Sequence, residues 1–298
     1  MTTLPVSVVI HTKNCVEDLP RAIASVKNWA SEIVVVDMKS ADGTAEKARE
    51  LGARVITVPD AAYADPARNT GIQAARQPWV FMLDADEEVQ AALVTKLAEI
   101  VEHEEISGIE IPRKNLIFGE WAKTGWWPDY IARIFRANRT TWPTGLHSKP
   151  IISGKVIQIP AEESLALIHH HYVSVAQFVD RMNRYTSISA EESSGVPQLS
   201  LPSFVADEFF GRYFARGGVD QGTFGLILSS LQASSFVIDW AKRWERNGKQ
   251  DQDSIESFDQ DLDRITQDLA YWIADQRVAR SKNIMQKIYW MLRRKLKI

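Results

Sequence analysis

Trp79-Val80-Phe81-Met82-Leu83-Asp84-Ala85-Asp86-Glu87-Glu88 decides the fold: five consecutive apolar residues run straight into two aspartates one residue apart. An apolar run of this length, closed by polar residues, reads as a strand buried on both faces, as in a parallel sheet covered by helices. Upstream, Val6–His11, Glu32–Asp37 and Arg54–Val58 repeat the strand pattern. The amphipathic segments Leu19–Ala30, Thr44–Leu51 and Pro66–Arg76 fall between them, and a further helix is expected over about Val89–His103. Strands alternating with helices predict βαβ units and a mostly parallel α/β sheet. Ligands of such sheets bind beyond the carboxyl ends of the strands. The tips to watch are therefore Thr12-Lys13-Asn14, Asp37 to Asp42, and Asp84 to Asp86.

After residue 105 the pattern shortens to Gly108–Pro112, a Trp-rich loop over Gly119–Asp129, and Ile131–Arg136. Past His171 it is helical almost throughout, interrupted at Ser193–Pro202 and Gly217-Gly218. This places a domain boundary near residue 175, with an α/β domain over 1–175 and a mainly helical extension over 176–298. The chain of 298 residues is 45% hydrophobic and 24% charged, an ordinary globular composition. Its single cysteine, Cys15, excludes an internal disulfide and a Cys-rich zinc site, and is compatible with a reducing cytosol.

A net charge of -3 argues against a nucleic-acid partner but hides an asymmetry. Residues 276–298 hold eight basic and no acidic side chains, leaving 27 basic against 38 acidic in the rest. In that tail Ile284, Ile288, Leu292 and Leu296 share one helical face amid basic residues, the composition of an interfacial helix attracted to anionic lipid. A helix packed on its own domain and a homo-oligomer contact are the alternatives. The N-terminal residues lack the pattern of a signal peptide, and the uncharged run from Gln221 to Ile238, with two glutamines and four serines, is too polar for a convincing span.

At a strand-to-loop turn Asp84 and Asp86 can both reach one hard cation. Alternatively, Asp86 caps the next helix, with Glu87 and Glu88 favouring its dipole. Asp37 closes a strand, and Asp42 or Thr44 can cap the helix after it. Arg68, at a helix start, suits a phosphate or a nearby carboxylate. Neither G-x-G-x-x-G nor G-x-x-x-x-G-K-[ST] occurs. In His169-His170-His171, three consecutive side chains of a strand cannot all face one ion.

In order and spacing, VSVVIHTKN (6–14), EIVVVDMKSADGT (32–44), DPARNTGIQAA (65–75) and WVFMLDADEEV (79–89) resemble the nucleotide-sugar domain of family 2 glycosyltransferases, the inverting GT-A class. Looser echoes in GWWPDYIARIFR (125–136) and in the segment from Leu167 to Ala190 are similar to the lipopolysaccharide-core and envelope-polysaccharide glucosyltransferase subgroup. The resemblance implies a GT-A fold, Rossmann-like with helices on both sides of the sheet. It also implies transfer of a sugar from a nucleotide diphosphate, a UDP-sugar, to a cell-envelope glycan or lipid-linked acceptor at the cytoplasmic face of the plasma membrane. Carried over by position, Thr12 and Asp37 line the base pocket, Asp42 supports that loop, and Arg68 steadies the diphosphate. Asp84 and Asp86 form the D-x-D pair for Mg or Mn, with His169 as a further ligand. Met38-Lys39 replaces the Ser-Gly of the usual D-S-G-S-T-D-G-T motif.

Sugar transfer also needs a base for the acceptor hydroxyl. Asp129 is one candidate, beside Trp126 and Trp127, whose rings can stack on a sugar or simply pack on the sheet. His147 is the other, although Ser148 replaces the glutamate that follows it in the subgroup. Two rival functions are a sugar-phosphate nucleotidyltransferase, for which HTKNCVED lacks the Gly-rich loop, and a catalytically silent scaffold that binds membrane or a partner.

Overall fold

The computed structural model describes residues 3–60, 65–143, 148–193, 195, 200–249 and 255–297. It divides into two compact units, Met1–Trp121 with Trp126–Val173, and Ala122–Gly125 with Ser174–Ile298.

The first unit runs β1 (Leu4–Thr12), α1 (Leu19–Val26), β2 (Ala30–Asp37), α2 (Thr44–Glu50), β3 (Arg54–Thr57), α3 (Asp65–Ala74) and β4 (Trp79–Asp84). It continues through β5 (Glu87–Glu88), α4 (Ala91–Ile100), β6 (Ile106–Ile117), β7 (Glu120–Trp121), β8 (Asp129–Arg136), β9 (Thr140–Thr141), β10 (Ile151–Ile152), β11 (Lys155–Gln158) and β12 (Leu167–Tyr172). One mixed sheet has the order β3-β2-β1-β4-β8-β6-β12-β5, with β7 and β11 also paired to β6, and β9 pairs with β10 separately. The four strands β3-β2-β1-β4 are parallel, whereas β8 is antiparallel to both β4 and β6. The chain leaves β1 for β2 on one side and returns to β4 on the other, so the switch point lies between β1 and β4. Register there places His11 opposite Asp84, and Thr12 opposite Asp37.

Period-two alternation sorts the core. Val6, Val8, Ile10, Phe81 and Leu83 pack on one face with Leu19, Ile23 and Val26 of α1 and Leu93 and Leu97 of α4. Val9, Val34, Val36, Val80 and Met82 pack on the other with Ala67 and Ile72 of α3, Phe135 and Trp142. Each buried Val, Leu, Ile, Phe or Met among them stabilises the fold by about 1.5–3 kcal/mol. At Gly71 an added Cβ would lie 2.5 Å from Val9 Cγ1 and 3.2 Å from His11, so glycine lets α3 close down on these two side chains of β1.

Two expectations need correction. Glu87 and Glu88 do not open a helix: they form β5, antiparallel to β12, and the cap position of α4 is Gln90 rather than Asp86. The strand expected over Gly108–Pro112 extends over Ile106–Ile117, because different parts of it pair with β7, β8, β11 and β12.

The second unit holds α5 (Val175–Glu192), α6 (Leu201–Phe210), α7 (Gly222–Arg246), α8 (Ile255–Arg280) and α9 (Ile284–Leu296). Polar staples join them: Lys242 Nζ donates to Asn183 O at 2.6 Å and Thr186 Oγ1 at 2.8 Å, and Asp261 accepts from the hydroxyls of Ser200 and Ser203. Among the described residues one stretch, Gly218–Arg246, is long and apolar enough to cross a membrane, with a mean hydropathy of 1.2 in its best window. Its serines bond within its own helix, for example Ser229 Oγ to Gly225 O at 2.8 Å.

His11 records how dry the strand ends are. Burial pushes its imidazole down to about 3, helped by Arg68 and Arg133 and opposed by the Ala67 carbonyl and Asp84. The folded protein keeps it neutral, while the unfolded chain takes up a proton below about pH 6.5. The unfolded state then binds more protons, so this contribution is complete above about pH 6.5 and is lost as pH falls toward 3. Urea unfolding between about pH 7 and pH 5 is expected to show a slope of up to about 1.4 kcal/mol per unit that His11→Gln removes. An equal slope in the variant would refute this.

Candidate active site

The first loop of the site is built on the carboxyl ends of β1 and β2. Thr12 Oγ1 donates to Asp37 Oδ1 at 3.3 Å, and the Ser40 amide donates to Asp37 Oδ2 at 3.1 Å. Thr12 and Asp37 are both buried. Asn14 turns the chain at φ 53° and accepts from the Ala41 amide at 2.9 Å. Asp42 does not occupy the cap position of α2, which is Gly43. Instead it ties the two loops together, accepting from the Val16 amide at 3.1 Å and the Thr44 amide at 3.0 Å. These bonds outweigh its partial burial and hold its carboxyl below the usual range. Lys39 adopts φ 55°, where the resembled motif has glycine. A side chain in this left-handed region costs about 1 kcal/mol.

On the other side of the switch point lies a cluster of carboxylates and guanidiniums. Asp84 ends β4 with Arg68 Nη2 at 3.3 Å from Oδ1 and Arg133 Nη2 bonded to Oδ2. Burial alone would raise its pKa, but Arg133, Arg68 and Arg113 together hold it far below the usual carboxylate range. Glu87, fully buried, accepts from Arg133 at 3.3 Å and Arg113 at 3.4 Å, while its other oxygen accepts from the Asp84 amide at 2.9 Å. That last bond closes the turn carrying Asp84 and Asp86. Arg68 reaches the cluster from the start of α3, its guanidinium 4.6 Å from the Trp142 ring centre. Asn69 fixes Trp142 from both sides, donating to its carbonyl at 2.7 Å and accepting from its amide at 2.9 Å.

The third group comes from β6, β8 and β12. Asp129 Oδ2 accepts from Arg113 Nε at 2.8 Å, Arg113 Nη2 at 2.6 Å and Asn115 Nδ2 at 3.0 Å. Burial opposes ionisation of Asp129, yet Arg113 and Asn115 bring its pKa below the usual range. His169 Nδ1 lies 2.7 Å from Asn115 Oδ1, and His169 Nε2 faces Asp86 Oδ2 at 3.6 Å. His170 points the other way, to Glu88 at 3.3 Å, as alternation along a strand requires. Trp127 packs edge-on against Trp121 with ring centres 5.3 Å apart, and Trp126 and Trp127 are half-buried. His147 lies outside the described residues.

The structure thus brings Asp84, Asp86, Arg68, Asp129 and His169 to one end of the sheet, with Thr12 and Asp37 on the neighbouring strand ends. Both oxygens of Asp84 are engaged by arginine, so Asp86 and His169, rather than Asp84, form the pair that faces across a gap. Arg113, Arg133 and Asn115 were not among the residues expected from the sequence, and Glu87 was expected only to favour a helix dipole. For Glu87 a signal existed, a third acidic residue directly after D-A-D; the others sit inside ordinary strand patterns and are recognisable only after pairing brings them together.

The family described as Glycosyl transferase family 2 matches residues 7–156, and the chain belongs to that family. Its architecture is accordingly that of a GT-A glycosyltransferase with a helical C-terminal region. An uncharacterized glycosyltransferase of Rickettsia felis (strain ATCC VR-1525 / URRWXCal2) is 29% identical over 255 residues, covering 80% of this chain and 88% of that protein. The lipopolysaccharide core biosynthesis glycosyltransferase LpsC of Rhizobium meliloti (strain 1021) is 26% identical over 261 residues, covering 82% and 93%. A TPR repeat-containing protein of Synechococcus elongatus is 34% identical over 115 residues, 39% of this chain, and the match spans 28% of that longer protein.

Glu87 tests whether the cluster is structural as well as chemical. Glu87→Gln keeps the shape but leaves Arg113 and Arg133 short of one buried negative charge. The expected loss is about 3 kcal/mol in urea unfolding. A change under about 1 kcal/mol would show that the arginines are balanced without it.

Proposed function

We propose that the protein moves one sugar from a nucleotide diphosphate, a UDP-sugar, to a hydroxyl of a cell-envelope glycan or lipid-linked acceptor, with inversion and with Mg or Mn. The observation that carries this reading is the facing pair Asp86 Oδ2 and His169 Nε2, 3.6 Å apart at the carboxyl end of the sheet. Asp86 and His169 would hold the ion between them, the carboxylate being the donor that suits Mg and Mn. Among the described residues no group of three or more His, Cys, Asp or Glu forms a cage. A two-ligand site fits a cation whose other positions are filled by water and substrate phosphate, the usual arrangement for Mg.

When bound, the cation supplies Lewis-acid stabilisation of the diphosphate leaving group. The protein supplies the rest. Asp37 and Thr12 hold the nucleoside end, with Asp42 bracing the loop that carries Ser40. Arg68, fixed by Asp84 and Trp142, offers its guanidinium to the diphosphate side. Trp126 and Trp127 flank the acceptor. Asp129 takes the acceptor's hydroxyl proton as the new bond to the anomeric carbon forms and the bond to the diphosphate oxygen breaks, its electron pair leaving with the diphosphate. Arg113 and Asn115 keep Asp129 ionised before the reaction. Four carboxylates (Asp84, Asp86, Glu87, Asp129) stand against three guanidiniums (Arg68, Arg113, Arg133) in this cluster. A divalent cation turns the net charge positive, in favour of a diphosphate.

The envelope acceptor is supported by the likeness to LpsC and by α9. Ile284, Ile288, Leu292 and Leu296 are between 47% and 68% exposed along one face of that helix. Trp290 lies under Arg277 at 4.3 Å, and Arg294 and Lys297 reach back to Asp275 at 2.7 Å and Asp268 at 2.9 Å on α8. The helix is tied to α8 by its polar side while its apolar row faces outward, as at the surface of an anionic bilayer. On this reading the protein works in the cytoplasm, peripheral on the inner face of the plasma membrane.

Thermal stabilisation by UDP with Mn tests the donor site without an acceptor. The wild type is expected to be stabilised by the pair; Asp86→Ala loses the Mn-dependent part, and Asp129→Asn keeps it but transfers no sugar. Unchanged stabilisation of Asp86→Ala would remove the metal assignment, and turnover by Asp129→Asn would remove the base. For the membrane, Ile288→Ser with Leu292→Ser is expected to weaken sedimentation with anionic liposomes by about 10-fold or more. Equal sedimentation would turn attention to a protein partner for this face.

A further inference from the structure

Asn115 lies in β6 between the two strands that carry the proposed base and the proposed cation ligand. It is buried, directly opposite His169 in the parallel register of β6 with β12, and two residues from Arg113, which is opposite Asp129 on β8. Its side chain touches both: Nδ2 donates to Asp129 Oδ2 at 3.0 Å, and Oδ1 sits 2.7 Å from His169 Nδ1.

The two ends of an amide are not interchangeable. An ionised carboxylate only accepts, so Asp129 requires the NH₂ end, and the carbonyl end is thereby turned to His169. A carbonyl oxygen only accepts, so the short contact requires the proton on His169 Nδ1. In the neutral imidazole the other nitrogen, Nε2, then carries a lone pair. That lone pair faces Asp86 Oδ2 at 3.6 Å, too far for a hydrogen bond. Two electron-rich atoms face each other, the arrangement a cation resolves.

We infer that Asn115 is a positioning residue: through one amide it fixes the Nδ1-protonated form of His169, which makes Nε2 a cation ligand, and holds the Asp129 carboxylate in place. The inference rests on the reading of Asp86 and His169 as the cation pair. It adds a dependence of that pair on the base, transmitted across β6 by a residue that touches neither cation nor substrate. Orienting partners of ligating histidines typically change metal affinity by about 10- to 100-fold.

Two measurements test it. The first is the nitrogen-15 NMR spectrum of the imidazoles of the metal-free, full-length protein at about pH 8, where ordinary histidines are neutral. His169, assigned by comparison with His169→Gln, is expected as the Nδ1-protonated form; the Nε2-protonated form would overturn the inference whatever the metal does. The second is Mn²⁺ binding by electron paramagnetic resonance. Asn115→Leu is expected to lose affinity by about 10- to 100-fold. Asn115→Asp, which keeps an acceptor opposite Nδ1, is expected to stay within about threefold of wild type while losing turnover. Wild-type affinity in Asn115→Leu would overturn the positioning role. If the wild type and His169→Gln bind Mn²⁺ equally, the cation pair itself fails, a result separate from the tautomer seen by NMR.

Discussion

Everything at the working end of this sheet depends on keeping Asp84 charged although it is largely withdrawn from water. A carboxylate removed from water reverts to its neutral form unless cations stand against it. Here Arg133 and Arg68 do so directly, and Arg113 from slightly further away. Arg133 is itself buried and Arg113 largely so, and both would be costly alone, so Glu87 and Asp129 balance them. Pairs of this kind add little net stability over apolar packing, but they fix direction. The members arrive from five elements, β4, β5, α3, β6 and β8, and the cluster therefore fixes these elements relative to one another.

The parallel half of the fold was legible because buried strands leave continuous apolar runs, and β1, β2 and β4 all do. Asp37, Asp84 and Asp86 stood out because each interrupts or closes such a run. The antiparallel half was less legible: β6 pairs with four other strands over its length, and no local pattern announces that. Glu87 looked like a helix-favouring acid because sequence proximity to α4 was visible and the pairing of β5 with β12 was not. Arg113, Asn115 and Arg133 carry no signal of their own, since a polar residue in a strand ordinarily faces water. Only the register of β6 against β8 and β12 turns them inward to one another.

The helical unit follows a different logic. Its helices are joined by side-chain staples more than by large buried residues, and α8 and α9 leave apolar side chains exposed. Periodicity in the sequence found α9 and its apolar row. The ties to Asp268 and Asp275 were not visible, and they change the reading of the basic residues: Arg294 and Lys297 already have acidic partners on the same unit.

The close seat of α3 on β1 at Gly71 has a consequence for engineering. Only the side chains of Val9 and His11 lie beneath this glycine, and they leave no room for a methyl group. The height of α3 over β1 is therefore set by two side chains, and a larger residue at position 9 or 71 would lift the helix. Arg68, one turn earlier on the same helix, would be carried along. Anyone reshaping this end of the sheet would do better to vary the strand tips than to enlarge either position.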